Sequence, residues 1–254
     1  GLEGVLSQYS PKIKGILNGI DIHEWDPQSS AVPFSKEHPE DKAKNKAALQ
    51  AENGLQSNLR VPLAGIVARL VDQKGIDILS QALDGMLELG YQFVLLGTGE
   101  EKYHKVLRDI ARKYRGRCAV HILFDIEMAK RIYAGSDLIL MPSYYEPCGL
   151  GQMIALRYGT IPLVRETGGL ADTVQNFNAS TDEGNGFTFK EYKSSALLGA
   201  LERAMKVYQN PKLWQRLVQN ALDCDFSWTA SAKKYLDAYK STERRPIEGM
   251  RKVS

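Results

Sequence analysis

The stretch Val61-Pro62-Leu63-Ala64-Gly65-Ile66-Val67-Ala68, followed by Arg69-Leu70-Val71-Asp72-Gln73-Lys74-Gly75, decides the fold. Its first eight residues are apolar without alternating with polar ones, the pattern of a strand buried on both faces. A short charged loop follows. Residues 75–89 then place Ile76, Leu79, Leu83 and Leu87 at helical spacing. A strand, a loop and an amphipathic helix in succession make the first part of a parallel crossover unit.

The same order repeats outward from this unit. Phe93-Val94-Leu95-Leu96 reads as a strand stopped by Gly97-Thr98-Gly99, and 100–115 as a charged amphipathic helix. Residues 119–123 form the next strand and 126–134 a short helix. Leu138-Ile139-Leu140-Met141 is a strand closed by Pro142, 149–158 a helix, and Ile161-Pro162-Leu163-Val164 a further strand. This alternation predicts an α/β, Rossmann-like parallel sheet with helices on both faces. Ligands of such sheets bind outside the carboxyl ends of the strands. Toward the amino terminus, 13–17 reads as one strand, 26–40 as a proline-punctuated loop and 39–52 as a charged helix. Beyond 194 the pattern is wholly helical, over 195–208, 211–222 and 228–240, and the polar, charge-rich tip 241–254 is expected to fray.

Composition narrows the function. The 254 residues carry 33 Lys+Arg against 30 Asp+Glu, a balance that argues against a nucleic-acid footprint. An apolar fraction of 43% with a net charge of +3 excludes a chain that is disordered throughout. No apolar run approaches the roughly 18 residues of a membrane span. Cys118, Cys148 and Cys224 lie far apart, without a C-x-x-C pair, which suggests neither a disulfide framework nor a zinc ribbon. The histidines at 23, 38, 104 and 121 are scattered, so no metal site is expected. Asn178-Ala179-Ser180 has the letters of a glycosylation site but no secretory signal to go with it.

Four loops sit where strands end. Arg69 and Lys74 flank the first; a planar fork and a point charge near a helix start suit an anion, though a solvated surface loop has the same letters. Gly97-Thr98-Gly99 permits close backbone approach but lacks the third glycine of a dinucleotide fingerprint; a plain turn fits as well. In the third loop, Pro142 to Leu150, Glu146 sits just before the N–H groups of Cys148, Gly149 and Leu150. It either caps a helix or accepts sugar hydroxyls while those amides hold an anion. Cys148 has no nearby histidine to activate it, so a structural cysteine is favoured over a nucleophile. In the fourth, Thr167-Gly168-Gly169 opens a helix and either contacts an anion through its backbone or is a flexible turn. The residues alone point to a domain that binds a phosphorylated small molecule, and a nucleotide is the expected one.

These segments together resemble the carboxyl-terminal half of bacterial glycogen synthases and plant starch synthases. Those are retaining glucosyltransferases of the GT-B fold that use a nucleotide-glucose donor. The resemblance rests on Lys14-Gly15-Ile16-Leu17-Asn18-Gly19-Ile20-Asp21 with Trp25, on Arg69 to Gly75, and on Ile132-Tyr133-Ala134-Gly135-Ser136-Asp137. It extends through Pro142 to Leu150, Arg157-Tyr158-Gly159-Thr160 and Arg165 to Val174, and covers about 1–240. It implies that Arg69 and Lys74 hold the donor diphosphate and stabilise the leaving group. It implies that Glu146, with the backbone of Cys148, Gly149 and Leu150, holds the transferred glucose and its phosphate. Phe124 occupies the place of an aromatic ring stacked on adenine, and Thr167, Gly168 and Gly169 should lie close to the donor. Where broader relatives carry a second Glu eight residues after the first, this chain has Ile154, so no ribose contact is assigned there.

The resemblance further implies transfer of glucose from ADP-glucose to the non-reducing end of an α-1,4-glucan. ADP-glucose would be the substrate and ADP the product, with no cofactor, nucleic acid or membrane partner. The setting would be a bacterial cytoplasm, or a plastid stroma if the source is a plant or alga. The residues do not choose between ADP- and UDP-glucose, nor between glycogen and starch. The amino-terminal domain of such enzymes, with its Lys-x-Gly-Gly-Leu loop and acceptor contacts, is expected to be absent here. Residues 1–225 would then be the donor-binding domain, and 226–254 a crossing helix and tail whose aromatics either face a missing domain or pack on their own. The isolated chain would bind ADP without turnover. The rival readings are a stand-alone nucleotide-sugar-binding module without catalysis and, less well supported, a dinucleotide oxidoreductase.

Overall fold

A computed structural model describes residues 2–243. Its order is α1 (Glu3–Tyr9), α2 (Lys42–Glu52), β1 (Leu63–Val67), α3 (Ile76–Glu88), β2 (Gln92–Leu96), α4 (Glu101–Lys113), β3 (Cys118–His121) and α5 (Ile126–Gly135). There follow β4 (Leu138–Met141), α6 (Gly151–Arg157), β5 (Ile161–Arg165), α7 (Gly168–Thr173), β6 (Phe187–Phe189), α8 (Ser194–Tyr208), α9 (Pro211–Leu222) and α10 (Trp228–Glu243). The six strands form one parallel sheet in the order β3-β2-β1-β4-β5-β6. The chain winds outward one way from β1 and then the other way from β4. The gap beside β1 and β4 is therefore the switch point at which such sheets take ligands.

Alternate residues of each central strand serve two cores. Ala64, Ile66, Phe93, Leu95, Leu138 and Leu140 join one, packed with α3, α4, α8 and α9. Leu63, Val94, Leu96 and Ile139 join the other, packed with α2, α5 and α6. Two apolar faces explain why these strands read as unbroken apolar runs. Asp125 and Asn210 start α5 and α9 by accepting the N–H of Met128 and Leu213, one orphan donor of each first turn. No described helix is long and apolar enough to cross a membrane.

Two expectations fail. Residues 13–17 do not form a strand: Ile13 is exposed, and the nearest ladder contact is a single bridge from Ile20 to Ser227. The sheet edges are β3 and β6, and 13–17 lies on neither, so its backbone has no ladder to join. Conversely, β6 had no reading in the sequence. Three residues give almost no periodicity, and Phe187-Thr188-Phe189 is a strand because β5 offers it an edge. The helix expected over 228–240 continues to Glu243; the rest of the tip, 244–254, lies outside the described residues.

Candidate functional site: a charged cleft at the switch point

The loops after β1 and β4 meet over the switch point. The first makes a single 3-10 turn, Asp72–Lys74, and enters α3 through Gly75 with φ +74°. A side chain at Gly75 would strike the Pro142 carbonyl, so glycine is required both for the left-handed turn and for the loops to touch. The Tyr144 N–H donates to the Gln73 carbonyl at 2.9 Å, and Gln73 Nε2 donates to the Tyr145 carbonyl at 2.8 Å.

This clamp delivers Lys74 to Glu146: Nζ and Oε2 are 2.5 Å apart, with the Glu146 side chain 7% exposed and that of Lys74 21%. Ser143 Oγ donates to the same oxygen at 3.4 Å. Arg69, exposed at the mouth, donates only to Gln73 Oε1 at 3.2 Å and has no carboxylate partner among the described residues. Lys74 is paired with Glu146, whereas Arg69 is left without a carboxylate partner at the mouth, and the second acid of the lining, Asp125, accepts the Met128 N–H at the start of α5. Behind the site, Arg165 donates from Nε to the Ser143 carbonyl at 2.8 Å and from Nη2 to the Tyr144 carbonyl, and it stacks on Tyr144 and Tyr192. Asp72 is tied to Lys102 and Tyr103, whose hydrogen bonds hold its carboxyl below the usual range. The loop is thereby braced on two sides.

These groups border a cleft of about 510 Å³ whose walls include Arg69, Lys74, Phe124, Glu146, Cys148, Gly149 and Leu150. Seven of the ten residues singled out in the sequence thus share one cavity. Phe124, 88% exposed, stands at its rim as a bare aromatic face. Ile154 lines the wall where a second acid would sit in broader relatives. Thr167, Gly168 and Gly169 are not among the lining residues. Gly169 donates its N–H to the Glu146 carbonyl at 3.0 Å, and side chains at Gly168 and Gly169 would strike the Glu146 and Cys148 carbonyls. This turn packs directly behind the loop that carries Glu146.

The sequence reading gave no role to Asn18, Trp25, Thr98, Tyr133 and Ser143, which also line the cleft. Trp25 meets Tyr133 edge to face at 5.6 Å, bringing the 18–25 segment over the pocket. Asn18 and Trp25 stand within the motif that carried the resemblance; Thr98 stood in a turn of the kind ligands approach. Cys118 is buried, and burial pushes its thiol up to about 12; Cys224 is raised by the same cause. Cys148 alone of the three faces the cleft.

Fold and site together define a doubly wound α/β domain with a cleft at its switch point lined by Arg69, Lys74 and Glu146. The chain belongs to the family described as Glycosyl transferases group 1, whose profile matches residues 50–223. It is 47% identical over 251 residues to a glycogen synthase of Desulforudis audaxviator, across 97% of this chain and 50% of that protein. It is 49% identical over 242 residues to a glycogen synthase of Thermosipho africanus, across 94% and 50%. Among solved structures it is similar to the catalytic domain of starch synthase IV from Arabidopsis thaliana bound to ADP and acarbose. There the TM-score is 0.87 and the identity 39%, over 96% of this chain and 52% of that one. The chain spans about half the length of the relatives it matches.

Proposed function

We propose that this chain is the donor-binding part of a glucosyltransferase that moves glucose from ADP-glucose to the non-reducing end of an α-1,4-glucan with retention. The observation that carries the reading is the convergence of Arg69, Lys74, Glu146 and the Cys148–Leu150 turn in one cleft, with Phe124 at its rim. Arg69 and Lys74 hold the diphosphate, and the N–H groups of the turn point to its oxygens. Glu146 accepts hydroxyls of the glucose while keeping Lys74 in place. Phe124 stacks on the base, a contact that needs only a ring face. Cleavage of the glucose–phosphate bond leaves charge on the departing ADP, and fixed cations and amides stabilise that charge without reorganising.

The chain's part is leaving-group stabilisation. A double displacement needs a carboxylate pair roughly 5–5.5 Å apart across the sugar. The cleft's two acids are Glu146, paired with Lys74, and Asp125, whose Oδ1 caps α5; neither is a free nucleophile. The acceptor glucan comes through a second domain. Two features support this: the relatives' doubled length, and the exposed apolar side chains of Val5 and Leu6 on α1 and of Trp228, Leu236 and Tyr239 on α10. Residues 1–225 are then the donor domain and 226–254 the crossing segment. The bacterial relatives support a bacterial cytoplasm as the compartment and glycogen as the product.

Calorimetric titration with ADP, UDP and adenosine tests the reading. ADP binding with weaker UDP and adenosine is expected, with no glucose transfer by the chain alone. Turnover by the chain alone would overturn the second-domain requirement, and failure of all three ligands would overturn the donor site.

A further inference from the structure

Gln152 belongs to no motif role above and does not line the cleft, yet it is fully buried and bonded to the loop that does. Its Nε2 lies 3.0 Å from the Cys148 carbonyl, 3.1 Å from the Gly149 carbonyl and 3.1 Å from Thr173 Oγ1. Thr173 Oγ1 donates in turn to the Gly169 carbonyl at 2.6 Å, and the Gly169 N–H donates to the Glu146 carbonyl. A single side chain thus joins the turn after Glu146 to α7, whose own Gly169 N–H holds the Glu146 carbonyl. Its own Oε1 is buried without a partner. Buried amides are rarely left half satisfied, and such an atom calls for an explanation. Reversing the amide would set its oxygen against two backbone carbonyls, so the nitrogen is fixed toward them and the oxygen is stranded.

Peptide planarity makes this orientation consequential. In a trans peptide the C=O of one residue and the N–H of the next point in opposite directions. With the Cys148 and Gly149 carbonyls drawn inward to Gln152, the N–H groups of Gly149 and Leu150 must point outward, to the cleft that both residues line. Neither N–H has an acceptor among the described residues. We propose that Gln152 is a positioning residue that turns the Gly149 and Leu150 amides toward the donor's diphosphate. This inference rests on the donor-site reading, and it adds the group that gives the turn its polarity.

The test compares the wild-type chain with Gln152→Glu, which keeps the shape but loses the N–H donors, and with Gln152→Met, which is apolar. Amide NMR spectra of the unliganded proteins come first: the Gly149 and Leu150 resonances should move in both variants. Calorimetry with ADP, inorganic pyrophosphate and adenosine follows at pH 8 and pH 5.5. ADP and pyrophosphate should weaken about tenfold or more, the scale of charge-assisted bonds to an anion, while adenosine stays within about twofold. Relative to wild type, Gln152→Glu should regain part of its ADP affinity at the lower pH, because a protonated carboxyl has one O–H to donate; Gln152→Met should regain none.

Equal losses for ADP and adenosine, or unmoved Gly149 and Leu150 amides, would overturn the proposal. Should either variant fail to fold, pyrophosphate added to the wild-type chain decides: it must shift those two amides, and binding without that shift overturns the proposal. A wild-type chain that binds neither ADP nor pyrophosphate refutes the donor site instead, and the unliganded amide spectra still decide the role of Gln152.

Discussion

Lys74 Nζ and Glu146 Oε2 stand 2.5 Å apart although 72 residues separate them in the chain. The contact exists because β1 and β4 are neighbours in the sheet, and their following loops open on the same side of the switch point. It joins the cation assigned to phosphate with the acid assigned to sugar, so each holds the other ready before the donor arrives. An ion pair largely out of water is costly to break from one side, because the remaining charge keeps its desolvation without its partner.

Lys74→Met therefore has two expected effects. Glu146 is left nearly buried and unpaired, and stability should fall by roughly 1–3 kcal/mol, below the range for fully buried pairs because Lys74 is partly solvated. ADP affinity should fall about tenfold while adenosine is held, since a charge-assisted bond to phosphate is lost. Glu146→Gln keeps an acceptor for Lys74 and should leave ADP affinity undiminished. Urea denaturation and calorimetry read the two effects separately, and equal losses of ADP and adenosine in Lys74→Met would contradict the diphosphate assignment.

Phe124 is a surface ring with little packing to lose. Phe124→Ala should leave the unfolding midpoint unchanged and weaken ADP and adenosine alike, by about 1–3 kcal/mol, the usual worth of base stacking on an aromatic. Phe124→Tyr should bind both ligands as wild type does. A Phe124→Ala chain with unaltered adenosine affinity would place the base elsewhere.

Gly75→Ala places a methyl group against the Pro142 carbonyl in a left-handed turn. Both faults act at once, and the cost should be about 1–3 kcal/mol or more. Guanidinium denaturation measures it. Because the same contact seats the 69–75 loop on the 142–150 loop, ADP affinity should decline with it; Gly54→Ala, also at positive φ but with open space around it, should show no loss of ADP binding.

The three thiols should separate by reactivity. Cys118 is 6% exposed with its thiol pushed up to about 12, and Cys224 is also raised by burial. Thiolate is the reacting form, so both should resist iodoacetamide at pH 8 in the folded chain. Cys148 faces the cleft and should be alkylated first, and ADP should protect it. Mass spectrometry of the labelled peptides gives the order; labelling of Cys118 ahead of Cys148 would contradict it.

His121 supplies a pH dependence of stability. Its Nε2 lies 2.6 Å from Asn53 Oδ1, and burial lowers its pKa in the folded chain below the ordinary value. The unfolded chain then takes up the proton first. Stability should be unaffected by this group well above pH 6.5 and should decline as pH falls through about 6.5 toward the lower folded value. His121→Gln, which can still donate to Asn53, should remove that part of the slope. Urea titrations from pH 7.5 to 5.5 on both chains measure the difference, and parallel slopes would refute it.

Much of this protein was legible in the order of its residues. The five strands β1 to β5 announce themselves because a strand covered on both faces must be apolar throughout, and the helices between them carry their own period. The site loops were legible too, since Arg69, Lys74, Glu146 and the Cys148–Leu150 turn all fall where strands end. Local pattern failed where a segment's state depends on a distant partner. Ile13-Lys14-Gly15-Ile16-Leu17 has the letters of a strand but no sheet edge beside it. Phe187-Thr188-Phe189 has too few letters and is a strand because β5 leaves an edge open.

The tertiary structure alone decided who meets whom. Strand order set Lys74 against Glu146, packed Gly168 and Gly169 against the Glu146 and Cys148 carbonyls, and brought Gln73, Arg165 and Gln152 onto carbonyls of the same loop. Those partners lie between 3 and 72 residues apart. Sequence periodicity reports which face of an element is buried; the directions of a loop's hydrogen bonds are fixed only once separate elements have packed together.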